Sequence, residues 1–159
     1  MGISQNQIVR TLKEFKGVEH RLEYVRTINE VEYINDSKAT NINSVIVAIN
    51  TYDQPIVLIL GGFNKGANFR LLLPHIKSSH VRDIVSYGDA GGQINTALGD
   101  AVRSVQVTDL SSAVKKAQLM AAPGDIVLLS PGCASYDEFS NFEERGNHFK
   151  SIIKNLAAS

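Results

Sequence analysis

Short, unbroken apolar runs that stop at glycine-rich or small polar loops constrain this chain more than any other feature. The clearest lies within residues 126–146, IVLLSPGCASYDEFSNFEERG, where Ile126 to Leu129 are flanked by Asp125 and Ser130. Such a run, bounded by polar and turn residues, reads as a buried strand of a parallel sheet. Pro131 and Gly132 are expected to end it. Gly132, Cys133, Ala134 and Ser135 follow, and small side chains let a ligand approach the backbone closely. Asp137 is then placed to cap a helix with Phe139, Phe142 and Phe149 as its apolar positions. Strand, small-residue turn and helix start together favour anion binding, because unpaired N–H groups and the helix dipole both attract negative charge. An ordinary turn around a buried cysteine reads equally well from these residues alone.

The same alternation runs along the rest of the chain. Residues 4–16 read as a helix capped by Ser4, with Ile8, Val9, Leu12 and Phe15 on one stripe and Gly17 as its stop. Leu22 to Ile28 and Val31 to Ile34 form two β-type runs around Asn29-Glu30, which suggests a hairpin. After the polar run Asn35 to Asn41, the flanks of Val45 to Ile49 favour a helix capped at Asn41 or Asn43. Ile56 to Leu60 is the next strand and ends in GGFNKG. Leu71 to Ile76, with Pro74, is a short helix. Val81 to Tyr87 is a strand, and GDAGGQ opens a helix through Leu98. Val105 to Val107 is a brief strand, and Asp109 caps a helix carrying Leu110, Ala113, Val114, Ala117 and Met120.

Short strands alternating with helices mean βα units with right-handed crossovers. The expected fold is therefore α/β: one open, Rossmann-like, doubly wound and mostly parallel sheet with an antiparallel hairpin at its start. Ligands bind such sheets outside the carboxyl ends of the strands. The loops NDSKATN, GGFNKG, GDAGGQ and SPGCAS should therefore share one edge.

Composition narrows what the loops can hold. The 159 residues suffice for one domain with a core, and 43% apolar with 20% charged content is ordinary for a soluble protein. Formal net charge is zero, so no basic field argues for nucleic acid or a membrane surface. Any bound anion must be held by local groups. One cysteine excludes an internal disulfide and a multi-cysteine metal site. No apolar run approaches the ~20 residues of a membrane span, and the N-terminal stretch is amphipathic rather than a signal peptide. A cytoplasmic location is the default.

Several polar groups have two readings. GGFNKG lacks the spacing of a P-loop and of a dinucleotide fingerprint. It offers Lys65 on a flexible backbone to a carboxylate or phosphate, or else a solvated lysine in a tight turn. Asp36, Ser37, Lys38, Thr40 and Asn41 crowd one loop. Asp36 suits a ribose hydroxyl or a metal-bound water, Lys38 a phosphate and Thr40 a carboxylate, while the plainer reading is a capping loop. His20-Arg21 is either a solvated pair or an Arg aimed at phosphate oxygens. Cys133 is either a nucleophile or, the favoured reading, a small buried side chain. His75, His80 and His148 show no metal spacing.

NDSKATN at 35–41, LGGFNKG at 60–66 and LLSPGCASYDEFSNFEERGNHF at 128–149 follow His20-Arg21 in that order. Over residues 17–156 they resemble the C-terminal domain of the Mur ligases, in the branch that adds D-glutamate. The resemblance implies a three-domain, ATP- and Mg²⁺-dependent enzyme of peptidoglycan synthesis. It makes an acyl phosphate on UDP-N-acetylmuramoyl-L-alanine, which the amine of D-glutamate then attacks. Residues 1–16 would be the tail of the central ATPase domain, and 17–159 the C-terminal domain that closes over it. The chain holds no G-x-x-x-x-G-K-[ST], so the central domain would bind most of the ATP and Mg²⁺, and this part alone would not turn over. Lys65 and Thr40 would meet D-glutamate, with Ser135 and the backbone around Phe142 on its other carboxylate. His20, Arg21, Asp36 and Lys38 would face the nucleotide or its phosphates. No metal ligand is implied here. A monomer is expected, partnered by the other two domains of the same chain.

Two positions depart from the family pattern: Asn64 and Asn68 stand where Asp is common, which puts an orienting carboxylate in question. Gly132 for the commoner Ala is milder. Sister ligases for other amino acids usually carry Ala-His or similar in place of Lys-Ala-Thr. Such a sister, or a stand-alone module for a nucleotide or acidic metabolite, are the alternatives.

Overall fold

Asn29 and Glu30 both take left-handed backbone, with φ of 50° and 59°. Positive φ at both central residues is the type I′ geometry, whose twist matches that of paired strands. It turns β1 (Glu23–Ile28) antiparallel onto β2 (Val31–Asn35), so the expected hairpin forms although neither turn residue is glycine. The computed structural model describes residues 17–156. The helix expected over 4–16 lies outside the described residues.

From β2 the chain alternates as expected. It runs through α1 (Ile42–Ile49), β3 (Ile56–Gly61), a 3₁₀ turn (Phe69–Leu72), α2 (Leu73–Ser78), β4 (Val81–Tyr87) and α3 (Gly91–Leu98). It ends with β5 (Arg103–Gln106), α4 (Leu110–Met120), β6 (Ile126–Gly132) and α5 (Phe142–Asn155). The six strands lie in the order β1-β2-β6-β3-β4-β5, and every pair except β1–β2 is parallel. Strand residues alternate between two cores. Ile56, Leu58 and Leu60 face α1, α2 and α3. Val57 and Ile59 face α4 and α5. That two-sided burial is why the central strands are continuously apolar. No helix among the described residues is long and apolar enough to cross a membrane.

Local chemistry explains the helix ends. Asn41 caps α1 by accepting from the Ser44 N–H at 3.0 Å. Asp109 caps α4 by accepting from Ser112 N–H at 2.7 Å. The third expected cap is corrected: α5 starts at Phe142 and Asn141 caps it, accepting from Glu144 N–H at 2.7 Å. Glu144 reaches back to the Ser140 N–H at 2.9 Å, a reciprocal arrangement of the capping-box type that outcompetes Asp137. Phe139 therefore lies before the helix, and Asp137 accepts from Asp89 N–H at 3.3 Å instead.

Other boundaries also move. β6 does not stop at Pro131 but continues through Gly132. Ile59 pairs with Leu129 and Gly61 with Gly132, so one extra residue on β6 absorbs the proline as a bulge. The short helix expected at Leu71 to Ile76 is split into the 3₁₀ turn and α2, with Pro74 in the first turn of α2 where its missing N–H costs nothing. β5 begins at Arg103 rather than Val105, held by pairing with β4.

The type I′ turn yields a test. An L-residue in the left-handed region is strained, and glycine is not. Glu30→Gly should raise stability by up to about 1 kcal/mol. Urea unfolding measures it; a lowered midpoint would show that Glu30 makes a compensating contact.

Candidate functional site

The parallel strands β2, β3, β4 and β6 all end at one edge, and their four loops gather there. The chain leaves β3 toward β4 and β5 and returns to insert β6 on the other side of β3. The crevice between β3 and β6 is thus the switch point where such sheets bind ligands. The loops that follow these strands pair there. Phe63 N–H donates to Ala134 C=O at 2.8 Å, and Ala134 N–H returns to Phe63 C=O at 3.2 Å. Gly62 permits this approach: it has φ 119°, and a Cβ would stand 2.4 Å from the Ala134 carbonyl oxygen.

Asn64 shapes the lysine loop. Its Oδ1 accepts from Gly66 N–H at 2.9 Å and from Ala67 N–H at 2.6 Å, while its Nδ2 donates to Gln93 Oε1 at 2.6 Å. An aspartate could accept both N–H groups, but only the amide also donates. Asn68 accepts from Arg70 N–H at 3.2 Å and caps the 3₁₀ turn. The next residue along the loop from Asn64, Lys65, is exposed. It holds its Nζ 4.7 Å above the ring centre of Tyr136. Lys65, Thr40, Asn41, Gly132, Cys133 and Ala134 line a cleft of about 390 Å³. Ser135 is buried beside this group, and Phe142 is half-buried at the first turn of α5.

A second pocket of about 190 Å³ is lined by Arg21, Leu22, Asp36, Lys38, Ala39 and Val47. Three of the four residues expected to face phosphate therefore meet. Asp36 is no capping residue: Oδ1 accepts from Leu22 N–H at 3.2 Å and Oδ2 from Ser130 Oγ at 2.8 Å. Burial pushes its carboxyl from an ordinary 3.8 up to about 6, against the pull of the Ser130 and Leu22 hydrogen bonds and of Arg21. Lys38 is exposed, with Nζ 5.8 Å over the Phe142 ring.

His20 and Arg21 part company. Arg21 is exposed at the pocket, whereas His20 is 4% exposed behind it. The His20 carbonyl receives Lys38 N–H at 3.0 Å, and its Nδ1 lies 3.0 Å from Asn35 Nδ2. An amide nitrogen can only donate, so Nδ1 accepts and Nε2 carries the proton. Gly146 of α5 makes room, since a Cβ there would lie 2.1 Å from His20 Nδ1.

Arg145 was given no role from sequence, and it joins everything. It is fully buried. Nε donates to Ser37 Oγ at 3.0 Å, Nη2 to Ser37 C=O at 2.8 Å and Nη1 to Cys133 C=O at 3.0 Å. Ser37 Oγ in turn donates to Phe142 C=O at 2.7 Å. One guanidinium thus ties the loop after β2 and the loop after β6 to α5. The signal was present: Arg145 lies four residues before Phe149 on the buried stripe of its helix. A charged residue there needs a buried task.

Cys133 is the small buried side chain. It is 2% exposed, and burial pushes its thiol up to about 12, the opposite of what a nucleophile needs.

The chain is thus an α/β domain of the Rossmann-like class, with lysine and arginine side chains lining two pockets at one sheet edge. The model of the family described as "Mur ligase, glutamate ligase domain" matches residues 20–133, and the chain belongs to that family as its C-terminal domain. It is 44% identical over 156 residues to the UDP-N-acetylmuramoylalanine–D-glutamate ligase of Chloroherpeton thalassium, covering 98% of this chain and 33% of the relative. The ligase of the same name from Pelotomaculum thermopropionicum is 46% identical over 158 residues, with 98% and 34% covered. The chain thus spans about a third of the length of the curated relatives it matches. Among solved structures, UDP-N-acetylmuramate–alanine ligase MurC of Thermotoga maritima superposes with a TM-score of 0.65 at 14% identity, over 96% of this chain and 34% of that one. The bifunctional folylpolyglutamate synthase/dihydrofolate synthase of Yersinia pestis, complexed with AMPPNP and Mn ion, gives 0.67 at 18% identity, over 96% and 35%. At those identities the likeness is one of fold.

Two measurements test the site's physics. Arg145→Lys keeps the charge but loses the fork, so one ammonium cannot serve Ser37 and Cys133 together. It should cost about 2–4 kcal/mol in chemical denaturation, because at least one buried acceptor loses its donor. An unchanged midpoint would mean the fork holds nothing. For Asp36, the native state binds its proton more tightly than the unfolded chain between about pH 4 and 6. Its contribution to stability therefore falls as pH rises through that window and is level above it. Asp36→Asn keeps the shape, so its stability relative to wild type should grow from pH 4 to 6 and then plateau. A flat difference across that window would contradict the raised carboxyl.

Proposed function

We propose that this chain is the amino-acid-receiving, closing domain of an ATP- and Mg²⁺-dependent ligase that joins D-glutamate to UDP-N-acetylmuramoyl-L-alanine through an acyl phosphate. The observation that carries the reading is the pair of cation-lined pockets on one sheet edge, locked together by Arg145. Lys65 Nζ and Thr40 Oγ1 line the larger cleft and donate to one carboxylate of D-glutamate. Ser135 and the first turn of α5 at Phe142 take the other, where unpaired N–H groups and the helix dipole favour negative charge. Anchoring both carboxylates leaves the amine as the free end, directed at the activated carbonyl.

Arg21 and Lys38 face the phosphate charge of the nucleotide from the smaller pocket, and Arg21 can grip two oxygens at once. Asp36 lines the same pocket and accepts from a ribose hydroxyl or a metal-bound water. His20 holds the Lys38 backbone in register from behind. ATP supplies the phosphoryl group that activates the carboxylate. On this reading the bulk of Mg²⁺ coordination falls to the central domain. The ligase works as a cytoplasmic monomer on this reading.

An amino-acid panel on the full-length ligase tests the substrate: D-glutamate should be the amino acid that supports phosphate release and amide formation. In the same enzyme Lys65→Ala should raise KM for D-glutamate about 10–150-fold, the equivalent of a lost charge-assisted hydrogen bond of ~1.5–3 kcal/mol. Cys133→Ala should keep most activity. Unchanged KM and kcat in Lys65→Ala would remove that lysine from the site.

A further inference from the structure

Lys65 has no carboxylate partner among the described residues; its ammonium rests 4.7 Å over the ring of Tyr136 instead. Tyr136 is 60% exposed, so its ring does little for the core. It follows Ser135 directly, in the loop that Phe63 and Ala134 pair to the lysine loop. Below, Asn64 fixes the lysine's backbone through Gly66, Ala67 and Gln93. The lysine is thus fixed at its root by an amide and at its tip by an aromatic face.

Lys38 repeats the pattern, with its Nζ 5.8 Å over Phe142. In both cases the cation comes from a loop after one strand and the ring from the segment after β6. The chemistry of this choice differs from that of an ion pair. A carboxylate beside an ammonium neutralises it and competes with an incoming anion. A ring face attracts the cation through its quadrupole but leaves the N–H donors and the net positive charge available.

We propose that Tyr136 is a positioning residue that holds the Lys65 ammonium, un-neutralised, toward the carboxylate of the amino-acid substrate. This rests on the reading of Lys65 as the D-glutamate ligand. The ring carries the effect and the phenol hydroxyl does not. An aliphatic residue at 136 leaves the lysine free to wander over solvent, so the substrate must then order it. Substrate affinity falls while the chemical step is untouched.

Two measurements test it. In NMR spectra of the protein, the Lys65 side-chain ε-CH₂ protons should be shifted upfield by the ring current. Tyr136→Phe should keep that shift and Tyr136→Leu should abolish it. A Lys65 resonance at its ordinary position in the wild type would overturn the proposal. In the full-length ligase, Tyr136→Leu should raise KM for D-glutamate about 2–5-fold, the range of an exposed cation–π contact. Its kcat and its KM for ATP should be unchanged, and Tyr136→Phe should match wild type. In a Lys65→Ala background, Tyr136→Leu should add nothing, because the partner is gone. Additive effects, or Tyr136→Phe as impaired as Tyr136→Leu, would overturn the proposal. If Lys65→Ala itself leaves KM for D-glutamate unchanged, the reading of Lys65 as ligand has failed, which is distinct from an effective Lys65 with a silent Tyr136. Thermal melting of each variant excludes unfolding as the cause.

Discussion

A fully buried guanidinium with three hydrogen bonds holds this domain's edge together. Desolvating an arginine is costly unless its donors are matched. Here a serine hydroxyl and two carbonyl groups match them, and both carbonyls belong to loops rather than to the sheet ladder. Loop backbone that would otherwise need water is thereby satisfied inside. The planar fork also sets an angle between the loop after β2 and the loop after β6. Thr40 and Cys133 line the same cleft because Ser37 and Cys133 bind the same side chain.

The surface electrostatics follow a different rule. Overall charge is zero, and ion pairs hold some of the cations. Lys150 meets Glu19 and Glu23, and Arg82 and Arg103 share Asp83. The cations at the sheet edge are treated differently: Lys38 and Lys65 lie over aromatic rings. Asp36, the carboxylate that lines the Lys38 pocket, is itself buried with its proton affinity raised. Asn64 fits this scheme, since an amide shapes the loop without adding a negative charge next to Lys65.

The sheet was largely legible in the sequence because burial on both faces writes itself as unbroken apolar runs, as at Ile56 to Leu60 and Ile126 to Leu129. The loops were legible as candidates because Gly62 and Asn64 are what close backbone approach and tight turns require. Boundaries were less so. The cap of α5 was misread because Asp137 and Asn141 are both good caps, and the choice turned on Glu144 reaching back. The end of β6 was misread because a bulge can accommodate Pro131, which depends on how β6 pairs with β3 and not on its own residues alone. His20 and Arg21 looked alike as neighbours, yet one is buried and the other exposed, which depends on Gly146 far along the chain. Arg145 stood on an apolar helical stripe, but its acceptors are loop carbonyls that no sequence pattern marks.

The place of β6 has a consequence for how the protein comes into being. The last strand among the described residues lies inside the sheet: Glu32 and Ile56, on its two neighbours, both pair with Ile126. Until it arrives, β2 and β3 each present an open row of unpaired amides and carbonyls. A nascent chain emerging from the ribosome therefore carries a hairpin and a three-stranded fragment that cannot join. Late closure of a parallel seam by distant residues is slow and leaves sticky edges exposed meanwhile. The same insertion that assembles the sheet also brings in the loop after β6 and then Arg145, so the loops of this sheet edge cannot be tied together before residues 126–145 are in place.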